Sequence, residues 1–480
     1  MLRLIFRKID SLIIVLAFVL LANSGNIFQL EARGMEKENL MLHPNNPHYF
    51  LFRDKPTILI TSGEHYGAVM NLDFDYVKYL DELHSYKLNL TRLFSGVYCE
   101  SPTSFNIQKN TLAPAPNRFI CPWVRSSVSG YANSGNKFDL TKWDEAYFKR
   151  LKDFISQAEK RGIVVEIVLF CPYYGDEQWE LSPIKINNNV NGIGDLQRTD
   201  AFTMKNKDMV AVHDAMTRKI VTELKDFDNI YYEICNEPYF GGVTLDWQYH
   251  IASVIADAEK DFSHKHLIAQ NINNGSEKVE NPNPLVSIFN FHYATPPDTV
   301  GLNYGLNKVI GDDETGFRGI EDVHYRTEAW EFIIAGGGTY SNLDYSFTID
   351  NEDGTFVIPP KQPGGGGRLL RNQLKILKDF IHGFDFVKMS PNNQIIKEFN
   401  PSDASVRVLA EINKSYAIYV KGGSKVEIAL EIPEGNYTAE WLDTKTGKIN
   451  ETQNLANKEG KVKLVSPEYF EDIALRILRK

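Results

Sequence analysis

Between residues 57 and 311, short runs of consecutive apolar residues alternate with stretches in which apolar residues recur at helical spacing. The runs lie at 57–61, 88–94, 163–170, 230–235, 267–270, 286–293 and 308–311. A run that is apolar at nearly every position, rather than at alternate ones, reads as a strand buried on both faces. Helical spacing puts Val77, Leu80 and Leu83 on one face of 74–83, and it predicts further helices at 144–160, 207–226, 246–262, 320–334 and 369–382. Strand, helix, strand in repetition predicts a (β/α)8 TIM barrel over residues 41–390, with an open doubly wound sheet as the structural alternative. The eighth strand is assigned to 336–340, a glycine-rich segment of poor strand propensity, because a barrel needs one there.

From about residue 391 the apolar period falls to two. Val406, Val408, Ala410 and Ile412 alternate with polar positions, as do Tyr416, Ile418 and Val420, then Val426, Ile428, Leu430 and Ile432. Gly422-Gly423, Glu434-Gly435-Asn436 and Thr446-Gly447 punctuate these runs, so 391–480 is expected to be a small all-β sandwich. Three long connections, 95–142, 172–206 and 339–368, interrupt the barrel pattern, and connections of that length are usually functional or disordered.

The first residues change the picture of where the chain works. Arg3, Arg7 and Lys8 precede an apolar run from Leu12 to Leu21, and Ala22-Asn23-Ser24 follows as a small-residue cleavage pattern. This predicts a cleavable signal peptide over 1–24, a spacer over 25–40, and a secreted or periplasmic protein. The apolar run is about half the roughly 20 residues needed to cross a bilayer, so no integral membrane span is expected after cleavage.

A formal net charge of −10 disfavours nucleic acid, whose phosphates call for a basic footprint, and is compatible with a neutral oligo- or polysaccharide. Aromatic residues, at 12% of the chain, suit surfaces on which sugars stack. The four cysteines, Cys99, Cys121, Cys171 and Cys235, lack zinc-site spacing, and sequence fixes no pairing among them. Neither a metal nor an organic cofactor is expected.

Candidate chemistry centres on 229–240, NIYYEICNEPYF. A β-branched and aromatic run ends there in Asn236-Glu237-Pro238, which sets a carboxylate where a buried strand gives way to a loop. A second carboxylate appears at 308–316, KVIGDDETG, where Glu314 stands two residues before a glycine. Placed at the C-terminal ends of two barrel strands, such a pair can supply the separation of about 5–5.5 Å that retaining glycoside hydrolysis requires.

Both motifs resemble those of clan A of the glycoside hydrolases, the cellulase-like retaining enzymes, over roughly residues 41–390. The resemblance implies that Glu237 is the acid/base and Glu314 the nucleophile, with Asp312, Asp313 and Glu328 as alternatives. It makes Arg92, a charge inside an apolar strand, the residue that keeps the nucleophile ionised, and Asn236 the amide that meets the sugar 2-hydroxyl. His292 and Tyr293 fall where the clan contacts substrate and nucleophile. Glu64, His65, Tyr174 and Trp179, close to other strand ends, complete the expected substrate-binding set. The segments 441–447 and 471–476 look like bacterial cellulase-like proteins that carry a C-terminal collagen-binding-like or sugar-binding domain, for which a buttressing role is expected.

The expected function is a secreted retaining glycoside hydrolase acting on the O-glycosidic bonds, expected to be β, of a plant, algal or microbial glycan. Two other classes stay open at this point. One is a non-catalytic glycan-binding or adhesive protein on a barrel scaffold, and the other is a carbohydrate lyase with Tyr293 or His292 as base.

Overall fold

In the computed structural model, which describes residues 39–480, the apolar runs become eight parallel strands: β1 (Leu59–Gly63), β2 (Leu90–Phe94), β3 (Val164–Phe170), β4 (Ile230–Cys235), β5 (Ile268–Asn274), β6 (Ile288–His292), β7 (Val309–Thr315) and β8 (Thr339–Leu343). They pair in the order β1-β8-β7-β6-β5-β4-β3-β2. The last seam, between β1 and β2, is stitched by Asn89. Its backbone N–H donates to Ile60 O at 3.2 Å, its side-chain oxygen accepts from Ile60 N at 2.9 Å, and its Nδ2 donates to Ile58 O at 3.0 Å. The carboxamide thus pairs as a peptide group would, and the barrel is a TIM barrel rather than an open sheet.

The barrel is filled in layers. At its N-terminal end Leu59, Leu90, Val164, Tyr231, Ala269, Ile288 and Val309 pack together, and Phe50 and Phe52 of an N-terminal hairpin join them as a plug. Two residues further along β2, β3, β4 and β6, on the same face by the period of a strand, stand Arg92, Glu166, Glu233 and Asn290. All four are buried. Gly311 of β7 makes room for this layer, since a Cβ there would lie 2.5 Å from Asn290 Oδ1.

Three expectations need correction. The eighth strand runs over Thr339–Leu343, not 336–340. Gly336 has a left-handed backbone, and a Cβ on Gly338 would lie 2.6 Å from His48 O, so the glycines form the tight entry to the strand. The connection 95–142 is not wholly irregular: Trp123–Ser129 and Asn136–Trp143 pair as an antiparallel hairpin. The helix Tyr76–Ser85 buries Tyr76, Tyr79, Leu80 and Leu83 and leaves Val77 exposed, because aromatic residues supply part of its inner face. The expected signal peptide lies outside the described residues.

The C-terminal strands form a six-stranded sheet and a three-stranded sheet. Between them lies a separate apolar core that includes Tyr416, Ile418, Ile428, Leu430, Trp441 and Leu475. Ser390 and Pro391 already pair with Ala410 and Leu409 in the larger sheet. The sandwich docks on the barrel helix Asp322–Ile334, where Trp330 stacks on Tyr419 at 5.4 Å between ring centres. Beside that stack, Arg326 Nη2 donates to Asp472 at 2.7 Å and to Glu471 at 2.6 Å. All four cysteines are buried free thiols. Among the described residues no helix is long and apolar enough to cross a membrane.

Candidate active site

The upper end of the barrel opens into a cavity of about 360 Å³ whose wall includes Glu237 and Glu314. β4 is buried throughout and delivers Asn236 and Glu237 immediately past its last residue; β7 carries Asp312, Asp313 and Glu314 within its own span. A carboxylate oxygen of Glu237, one of Glu314 and a ring nitrogen of His292 lie within 4.8 Å of one another.

Each glutamate has its own set of donors. Glu314 Oε2 accepts from Tyr66 Oη at 3.2 Å and Arg92 Nη1 at 3.3 Å, and its Oε1 accepts from Tyr293 Oη at 3.0 Å. Glu237 accepts from Tyr174 Oη at 2.6 Å and from Tyr239 Oη at 3.1 Å, and His292 Nδ1 lies 3.1 Å from its Oε1. Asn236 joins the two sets, its Oδ1 accepting from Arg92 Nη2 at 3.1 Å and its Nδ2 donating to Tyr174 Oη at 3.0 Å.

Besides the rim residue Phe105, three cavity-wall residues, Tyr66, Glu237 and Tyr293, have positive φ angles, of 68°, 39° and 53°. Side chains of this size rarely adopt a left-handed backbone, and such conformations concentrate at functional sites, where the surrounding structure holds them. Here each one turns the chain as it leaves a strand end, so that a phenol or carboxylate meets the cavity.

Below the pair, Arg92 lies among buried acids. Its Nε is 3.1 Å from Glu166 Oε2, and its Nη2 is 2.8 Å from Glu233 Oε1 and 3.3 Å from Asp313 Oδ2. Asn290 Nδ2 lies 2.8–2.9 Å from an oxygen of each of the same three carboxylates. Asp313 also reaches the second cation, with Oδ1 3.4 Å from His292 Nε2. Asp313 therefore steadies both positive groups that touch the glutamate pair. Ligand oxygens of Glu166, Glu233 and Asp313 are spaced closely enough for a metal ion, but the guanidinium already sits within reach of all three.

Charge burial shapes every titration here. Burial raises the Glu314 carboxyl and the neighbouring Glu237 charge adds to the rise, while His292 and Arg92 oppose it; the net direction is upward. Burial also pushes Glu237 up, but the hydrogen bond and charge of His292, with Tyr174 and Tyr239, bring it below its ordinary value. For His292 burial favours the neutral ring, yet Glu314 and Asp313 outweigh it and hold the imidazolium. Glu233 is pushed up to about 7 and Glu166 well above its ordinary value, chiefly by burial. Burial thus opposes ionisation in part of the acid layer, which limits the net charge that Arg92 must balance.

Of the residues singled out from sequence, Glu237, Glu314, Arg92, Asn236, His292, Tyr293 and Tyr174 meet in this network, and His65 stands on the cavity wall. Glu64 and Trp179 are not on the cavity wall. Glu64 is turned into its own loop, accepting from Gly67 N, Ala68 N and Thr111 Oγ1. Trp179 is buried against Tyr173, with its Nε1 donating to Leu196 O at 3.3 Å. The sequence reading missed Tyr66, Tyr239, Glu100 and the rim phenylalanines Phe105, Phe240 and Phe317. Each comes from a connection rather than a strand, so no period marks it.

The cellulase family, glycosyl hydrolase family 5, matches residues 118–301. No curated protein matches the chain in sequence. A Bacteroides vulgatus ATCC 8482 protein described as a glycoside hydrolase shares 14% identity with a TM-score of 0.65, over 94% of this chain and 84% of that one. A glycoside hydrolase family 5 structure from the same organism shares 15% identity with a TM-score of 0.62, over 92% and 93%. A noncanonic maltogenic alpha-amylase, AmyB of Thermotoga neapolitana, shares 12% identity with a TM-score of 0.51, over 88% and 99%. At such identities the likenesses establish the fold alone; the family match falls on the segment that contains strands β3 to β6 and Glu237. The chain is a glycoside hydrolase with a cellulase-like barrel and a C-terminal β domain.

Proposed function

We propose that this glycoside hydrolase is a retaining enzyme, exported from the cell, in which Glu237 is the acid/base and Glu314 the nucleophile. The observation that carries the reading is the spacing of the two carboxylates, with oxygens within 4.8 Å, which suits direct attack and leaves little of the room that an inverting enzyme keeps for water. Arg92, Tyr66 and Tyr293 all donate to Glu314, as a nucleophile that must be ionised requires. In the first step Glu237 gives its proton to the glycosidic oxygen, the bond from that oxygen to the anomeric carbon breaks, and a Glu314 oxygen bonds to that carbon. In the second, Glu237 takes a proton from water, the water oxygen attacks the same carbon, and Glu314 leaves as carboxylate.

The pair has to hold one proton between them. In the ligand-free cavity the hydrogen bonds from His292, Tyr174 and Tyr239 favour the ionised form of Glu237, which suits the base of the second step. The first step draws on the other arrangement, with the proton on Glu237 and the charge on Glu314 beside Arg92.

Azide rescue separates the roles by stereochemistry. In Glu237→Ala, with a leaving group that needs no acid, azide should intercept the glycosyl-enzyme on Glu314 and give a product of retained configuration. In Glu314→Ala, azide should attack directly and give the inverted glycosyl azide. NMR tells the two apart, and identical products from both variants would overturn the division of roles.

A further inference from the structure

The cavity carries a carboxylate that neither step of the proposed reaction uses. Glu100 is buried on the cavity wall, and its backbone N–H is held by Leu112 O at 2.8 Å. Tyr98 Oη donates to its Oε1 at 2.8 Å, and Asn110 Nδ2 donates to its Oε2. A carboxylate offers about four acceptor positions, so two donors fix its orientation and leave capacity free. His65 stands next to it, also buried on the wall, with Nε2 3.9 Å from Glu100 Oε2, too far for a direct hydrogen bond. The other ring nitrogen, Nδ1, is buried without a partner.

A hydroxyl oxygen about 2.8 Å from each atom would fit this 3.9 Å gap, donating to Glu100 and accepting from His65 Nε2–H. Burial holds the His65 ring neutral, with its pKa lowered to about 3, so one nitrogen can donate while the ring adds no charge. Of the three carboxylates on the wall, Glu314 is matched by Arg92 and Glu237 by the His292 imidazolium, whereas among the described residues Glu100 meets no lysine or arginine, only neutral Tyr98, Asn110 and His65. Burial raises the Glu100 carboxyl to about 7 against the hydrogen bonds from Tyr98 and Asn110, so above that pH it is ionised, and a sugar bearing its own carboxylate would then meet like charge at short range where a neutral sugar would not.

We propose that Glu100 and His65 are specificity-determining residues that together grip a hydroxyl of a neutral sugar ring and reject sugars carrying a carboxylate. This rests on the hydrolase reading of the same cavity. The grip acts on binding and leaves the bond-breaking roles of Glu237 and Glu314 unchanged.

The test is a thermodynamic cycle with the full-length protein and iminosugars of gluco, manno and galacto configuration, read by titration calorimetry above pH 7, where Glu100 is ionised. The tightest of the three is compared with its mono-deoxygenated relatives and with its uronic-acid counterpart. In the wild type, deleting the gripped hydroxyl should weaken binding about 10- to 100-fold, as for a hydrogen bond to a charged group. In Glu100→Gln that same deletion should cost little, while deletions elsewhere on the ring should cost what they cost the wild type. The uronic-acid relative should gain at least about tenfold relative to its neutral parent, because a like charge has been removed. His65→Ala, which gives up no hydrogen bond within the protein, should show the hydroxyl effect without the charge effect and covers any misfolding of the glutamine variant.

Additive losses in both variants, unchanged rejection of the uronic acid in a folded Glu100→Gln, or binding of none of the three parents would overturn the proposal. Azide rescue of Glu314→Ala is run in parallel. If it fails while the cycle shows coupling, the hydrolase reading falls and the grip stands.

Discussion

The molecule has two interiors built on opposite terms. The sandwich core is closed by Ile418, Ile428, Leu430, Trp441 and their neighbours, and the buried charges Arg326 and Asp472 meet at the edge where it docks on the barrel. The barrel begins in the same way, with an apolar plug, and then becomes charged: Arg92 among Glu166, Glu233 and Asp313, all fully buried. Replacing a buried ion cluster by well-packed apolar residues is often neutral or stabilising. A barrel that needed only stability could therefore continue as it starts. The charged layer is explained by what lies on top of it, since Arg92 and Asp313 reach Glu314 and His292 directly.

That contrast can be broken by substitution. The largest effect is expected from Glu237→Gln with a poor leaving group: turnover should fall about 10²- to 10⁴-fold, as for a lost general acid, with the melting temperature little changed. Next comes Trp441→Ala in the sandwich, which should cost about 3–5 kcal/mol in denaturant unfolding while kcat of the folded protein stays within about twofold. Should kcat fall with stability, the two interiors would not be separable in function.

Subtler changes sharpen the comparison through pH. In the proposed mechanism turnover should be lost on the acid side when the pair takes up its second proton, and burial, with the charges of Glu237 and Asp313, holds Glu314 above its ordinary value. Asp313→Asn removes one of those charges, so the acid limb of kcat/KM should move to lower pH; an unmoved limb would detach Asp313 from the pair. The smallest effect is expected from Tyr239→Phe. Removing a hydrogen bond that lowers Glu237 should raise its pKa and favour the proton on Glu237 within the pair, so the pH profile should shift upward by a fraction of a pH unit. Loss of one hydrogen bond of about 1 kcal/mol sets that scale.

Much of the barrel interior was written in period two. Leu90 and Arg92, Val164 and Glu166, Tyr231 and Glu233, Ile288 and Asn290 each step from the apolar plug to the charged layer on one face of one strand. Reading that parity across strands would have marked Glu166, Glu233 and Asn290 as inward and grouped them with Arg92. The carboxylates at the strand ends were visible because a polar residue closing an apolar run is conspicuous. What the connections contribute was not visible. Glu64 and Glu100 are both buried acids set in non-strand segments, and only the fold reveals that one ties its own loop while the other faces the cavity. The eighth strand was misplaced because its glycines answer to close backbone neighbours, not to strand propensity.

The seam at Asn89 has a consequence of its own. Around the rest of the barrel, neighbouring strands are joined by peptide groups, which every residue except proline supplies in full and which mutation seldom alters. Between β1 and β2 much of that joining is done by a side chain, and its chemistry is set by a single codon. Aspartate there would offer Ile58 O an acceptor where it needs a donor, and isoleucine would offer neither donor nor acceptor. Closure of the cylinder, a global property of the architecture, is in this way exposed to single-nucleotide change at one address.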